Sequence, residues 1–83
     1  MTWTQVIKKS SIGDKVLKTR IRIFYERLRF AKYIKNMNIN RDNKTITISV
    51  YPQVVGLMIG RRGKTANELG ERLGGWEIKI IGE

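Results

Sequence analysis

The spacing of apolar positions changes along the chain, and each change marks an element. From Lys15 to about Lys35 the steps are helical. Leu17, Ile21, Phe24, Leu28 and Ala31 follow one another at intervals of 4, 3, 4 and 3, which aligns them on one stripe of a helix. The segment NMNINRDNKTITISVY then alternates. Met37 and Ile39 interleave with asparagines, and Ile46, Ile48 and Val50 with Thr45, Thr47 and Ser49. Between the two runs, Arg41 to Lys44 includes Asp and Asn, which tolerate left-handed backbone. The pattern predicts a β-hairpin with one buried face.

Pro52 ends the second strand. The stretch VVGLMI, Val54 to Ile59, is short enough for a strand or a buried turn of helix. Ala66, Leu69, Gly70 and Leu73 then return to helical spacing, up to a C-terminal stop at Gly74-Gly75. The final WEIKI alternates again, with Trp76, Ile78 and Ile80 on one face. Helix, strand, strand, short helix, loop, helix, strand is the order of an α+β fold, a three-stranded sheet packed on three helices. Residues 15–83 read as one domain. Residues 1–14 read as an N-terminal extension, a short helix or arm in which Trp3, Val6 and Ile7 are candidate core contacts. Asp14 is either the N-cap of the first helix or a first-turn acid after Ser11.

Composition narrows the chemistry. The 83 residues hold no cysteine and no histidine, which removes thiolate and imidazole ligands and the commonest neutral-pH acid/base. The carboxylates, Asp14, Glu26, Asp42, Glu68, Glu71, Glu77 and Glu83, are not paired at a spacing that suggests acid/base work. No catalytic residue, metal or cofactor is expected. No apolar run approaches the roughly 18 residues of a membrane span, and MTWTQVIKKSSIG lacks an apolar signal centre, so no membrane partner and a cytoplasmic place are expected.

Charge points to a partner. Seventeen Lys and Arg stand against seven Asp and Glu, a net +10 with a pI near 10.4. The imbalance is concentrated in residues 1–44, with twelve basic and three acidic side chains, against five and four in residues 45–83. Such asymmetry favours a polyanion. Lys18, Arg22 and Arg29, at helical spacing on another face of the first helix, are candidate additional contacts.

The glycine-bracketed IGRRGKT, Ile59 to Thr65, sharpens that reading. A phosphate loop of a nucleotide hydrolase requires glycine five residues before Gly63, where the chain has Met58. A turn that holds a nucleic-acid backbone fits better. Two helix ends flanking Gly-x-x-Gly expose amides and a positive helix N-terminus to phosphate oxygens, and Arg61, Arg62 and Lys64 add charge-assisted contacts.

VVGLMIGRRGKTANELGERL resembles the signature of the K-homology (KH) domain, in which an apolar helix, I-G-x-x-G and a second amphipathic helix follow one another. The element order resembles the type II, prokaryotic-style KH fold, α-β-β-α-α-β, and the tail LGGWEIKI is similar to the KH domains of NusA-type transcription elongation factors. The resemblance implies single-stranded RNA binding, with the loop gripping the sugar-phosphate backbone and an apolar groove holding about four bases. It also implies a role in transcription elongation or termination, or in RNA metabolism. Carried onto this sequence, it places Gly60, Arg61, Arg62 and Gly63 at the backbone, with Lys64 beside them. Ile59, Val55, Ile78, Lys79 and Ile80 line or edge the groove. Val55, Ile78 and Ile80 read equally well as core, and Trp76 reads as core rather than as a stacking platform. Because NusA-type proteins carry KH domains in pairs, a lone one implies a homo-oligomer or a protein partner. Single-stranded or duplex DNA, or docking on a ribosome or polymerase, are the alternatives.

Overall fold

A computed structural model describes residues 13–83; the readings made for Trp3, Val6, Ile7 and Ser11 lie outside the described residues. The elements run α1 (Asp14–Arg27), β1 (Ile34–Asn40), β2 (Thr45–Val50), α2 (Val55–Ile59), α3 (Lys64–Arg72) and β3 (Glu77–Gly82), with 3-10 turns at Ala31–Tyr33, Pro52–Val54 and Arg61–Gly63. This is the expected α+β architecture of three helices and a three-stranded sheet.

The first helix is shorter than its pattern suggests. It ends at Arg27, and Ala31, Ile34 and Lys35 lie beyond it. The cause is local. Arg29 takes a left-handed conformation, φ 68°, while its amide donates to Glu26 and that of Phe30 reaches back to Tyr25. These two bonds form a Schellman stop, built here on arginine where glycine is the usual signal. The apolar stripe shifts accordingly. Leu17, Ile21 and Tyr25, four residues apart, are fully buried, whereas Leu28 is exposed and Phe24 only half-buried. At the other end Gly13 is the N-cap and Asp14 the first-turn acid; Asp14 Oδ1 meets Arg41 of the hairpin turn at 2.6 Å.

The hairpin follows its alternation. β1 and β2 pair antiparallel, Met37 opposite Ile48 and Ile39 opposite Ile46, with an irregularity at Lys35. β3 adds to the other side of β2 in parallel, Ile46 beside Ile78 and Ile48 beside Ile80. One sheet face, carrying Ile46, Ile48, Val50 and Ile80, joins Leu17, Ile21, Tyr25, Met58, Leu69 and Leu73 in a single core. The opposite face is polar, with Asn38, Thr47 and Lys79 side by side across the three strands, as expected for a sheet covered on one side.

VVGLMI resolves as a turn of helix buried on one side only: Val54 closes a 3-10 turn, α2 follows, and Met58 is fully buried while Leu57 is 60% exposed. The second stop also holds. Gly74 and Gly75 both have positive φ, and their amides reach back to Glu71 and Gly70, closing α3 as Arg29 and Phe30 close α1.

Candidate nucleic-acid interface

The loop Gly60–Gly63 joins α2 to α3 by a tight reversal. Gly60 adopts φ 82°, ψ 168°, Arg62 φ 57°, ψ 27°, and Gly63 φ 75°, ψ 13°. The Gly60 conformation is nearly closed to residues with a Cβ. Space forbids one as well: a Cβ on Gly60 would lie 2.8 Å from both the Thr65 amide nitrogen and its Cβ. Gly63 has room around it, with only Asn67 within 4 Å, so backbone conformation alone selects glycine there. The amide of Gly60 donates to Gly56 and that of Gly63 to Gly60, both at 3.0 Å, which fixes the loop to the end of α2.

This geometry presents an anion site. No side chain caps the start of α3 and its first turn holds no acid, so no negative side chain on the helix itself offsets its positive dipole end. Arg61, Arg62 and Lys64 are exposed around them, with no ion pair among the described residues. Three cations beside a positive helix end suit phosphate oxygens.

An apolar strip leads away from the loop. Val55 and Ile59, one turn apart on α2, are half-buried. Between them Gly56 is exposed, and nothing lies within 4 Å of where its Cβ would be, so the helix offers a shallow recess at that point. The end of β3 presses against the start of this region: a Cβ on Gly82 would fall 2.9 Å from the Cα of Pro52 and 3.2 Å from Val55 Cγ2.

The residues named from sequence separate into groups here. Ile59 to Lys64 form one continuous surface with Val55. Ile78 is half-buried on the helix side of β3, and Ile80 is only 8% exposed, within the core. Trp76 is half-buried and packs against that core. Lys79 points to the opposite, polar face beside Thr47, away from the side that carries the loop. Lys18 and Arg22 are exposed on α1, while Arg29 leaves the helical face to occupy the left-handed stop.

Three contributors had escaped notice. Thr65 sits under Gly60, and Gly56 opens the recess. Tyr25, fully buried, donates its hydroxyl to the Met58 carbonyl at 3.0 Å, one of the last carbonyls of α2 and so without a partner inside that helix. Its four-residue steps from Leu17 and Ile21 were the available signal. Among the described residues no group of three or more acidic side chains is placed to hold a metal ion.

Comparison with protein-family models gives a match to the KH domain over residues 19–76. No curated protein and no solved structure matches the chain.

Proposed function

The chain belongs to the KH domain family, whose members are nucleic-acid-binding modules rather than enzymes, and on that premise we propose that it binds single-stranded RNA through Gly60–Gly63. The observation that carries the reading is the loop itself. Residues 60, 62 and 63 have positive φ, the start of α3 is uncapped, and Arg61 and Arg62 are exposed beside it. Backbone capture at the loop would position the strand so that bases lie along Val55, Gly56 and Ile59, with Ile78 at the margin of the groove. The type II arrangement and the tail LGGWEIKI support kinship with NusA-type elongation factors, and with it a cytoplasmic role in transcription elongation or termination.

The test is fluorescence anisotropy with matched single-stranded RNA and DNA oligomers at two salt concentrations. Neutralising two or three phosphates predicts a slope of log affinity against log salt of roughly −1.4 to −2.1. The double variant Arg61→Asp, Arg62→Asp should stay folded by circular dichroism and lose binding. Equal binding by the variant would remove the loop as the site, and tighter binding of DNA would change the partner.

A further inference from the structure

We propose that the cleft between α1 and α3 is a docking site for an acidic, amphipathic helix of a partner protein. The cleft encloses about 190 Å³ and is walled by Arg20 and Arg27 from α1 and Arg72 from α3. Its apolar floor is formed by Ile23 and Phe24 on one side and Leu73 on the other.

The three arginines are not equivalent. Arg72 is committed within the fold: its Nε and Nη2 donate to Glu68 Oε2 at 3.1 and 2.9 Å, and its guanidinium carbon lies 5.8 Å from the centre of the Phe24 ring. Arg20 and Arg27 are exposed and make no ion pair among the described residues. They stand seven residues apart on one helix, about 10.5 Å along its axis. Two carboxylates seven residues apart on a second helix have the same separation, so a helix lying along the cleft can meet both cations at once.

The floor decides between a nucleic acid and a protein as the occupant. Ile23, which lines the cleft, is 45% exposed, as is Val16 on the same helix. Unlike the strip beside Gly60–Gly63, the cleft is lined by no residue of a glycine loop that could grip a phosphodiester chain. Stacking on aromatic faces also holds single strands, and the one ring here has Arg72 over it and meets Tyr25 in an edge contact, centroids 5.2 Å apart. Leucine-type anchors at i, i+3 and i+7 between flanking carboxylates do match an apolar floor between arginines. The loop arginines lie at the opposite end of α3 from Arg72, and neither of them lines the cleft.

The experiment uses the full chain, isotopically labelled, and a capped synthetic peptide with leucines at i, i+3 and i+7 and glutamates placed seven residues apart. A scrambled peptide of the same composition is the control. Saturable amide shifts confined to α1 and α3, absent with the scrambled peptide, are expected. Arg20→Glu with Arg27→Glu should weaken binding at least tenfold, and Ile23→Asp, at an exposed position, should do the same by an independent route. Arg61→Asp with Arg62→Asp should change it less than twofold. Equal binding of the scrambled peptide, shifts elsewhere, or indifference to Arg20, Arg27 and Ile23 overturns the proposal. So does displacement of the peptide by a single-stranded RNA oligomer in the Arg61, Arg62 variant, since the cleft would then belong to nucleic acid.

Discussion

The hydroxyl of Tyr25 donates to the carbonyl oxygen of Met58 at 3.0 Å, tying the buried face of the first helix to a point two residues before Gly60. The bond satisfies a carbonyl that the five-residue α2 leaves over, and it anchors the helix from which the loop departs. Tyr25→Phe keeps the ring and removes the donor, leaving that carbonyl buried without its partner. A loss of about 1 kcal/mol is expected, measured as a lower urea midpoint with an unchanged m value.

The same tyrosine makes stability depend on alkaline pH. Burial pushes its hydroxyl well above the ordinary value of 10, because the phenolate would lose its water. A group whose folded value is raised contributes fully below the unfolded value and loses its contribution as pH rises toward the folded one. Above about pH 10 the unfolded chain releases this proton while the folded chain keeps it. Stability from this residue should then fall by up to about 1.4 kcal/mol per pH unit. Urea melts of wild type and Tyr25→Phe between pH 8 and 11 isolate the effect, since the variant should lack this part of the decline.

The two loop glycines should differ in their response to alanine. At Gly63 only the left-handed backbone resists a Cβ, so Gly63→Ala should cost about 1 kcal/mol. At Gly60 the new methyl also meets Thr65, and about 3 kcal/mol is expected. Urea denaturation ranks the pair. Anisotropy with a single-stranded RNA oligomer should show the larger loss for Gly60→Ala, because the α3 amides move with Thr65.

Arg29→Gly tests the stop of α1. Arginine at φ 68° bears a steric cost that glycine does not. The substitution should stabilise the protein by about 1 kcal/mol, a rise of roughly 4–8 °C in Tm. If Arg29 also contacts RNA, the stabilised variant will bind more weakly; unchanged affinity removes it from the footprint.

The sequence spoke most clearly where periodicity and burial coincide. Ile46, Ile48 and Val50 alternate because their sheet has one wet and one dry face, and all three are fully buried on the dry one. Gly74-Gly75 marked the end of α3 because glycine is the cheapest left-handed residue. The same logic placed the end of α1 too late, since Arg29 does glycine's task without its signature. The stripe passed through Phe24 by its spacing and left out Tyr25, which gains a buried acceptor that only the tertiary structure supplies. Within the site, Ile59 to Lys64 were legible because they are contiguous. The alternation of WEIKI already set Lys79 opposite Ile78 and Ile80, whereas Thr65 under Gly60 depends on a close approach that sequence spacing alone did not resolve.

The parallel pairing of β2 with β3 bears on the order in which the protein is made. A hairpin closes within a few residues, but a parallel neighbour must wait for its whole crossover. Here that crossover comprises α2, the loop and α3. A nascent chain that has emerged only as far as Trp76 carries every residue of the Gly-x-x-Gly motif, yet lacks the edge strand against which Pro52 and Val55 pack. On a translating ribosome, competence to bind would therefore arrive with β3 rather than with the motif.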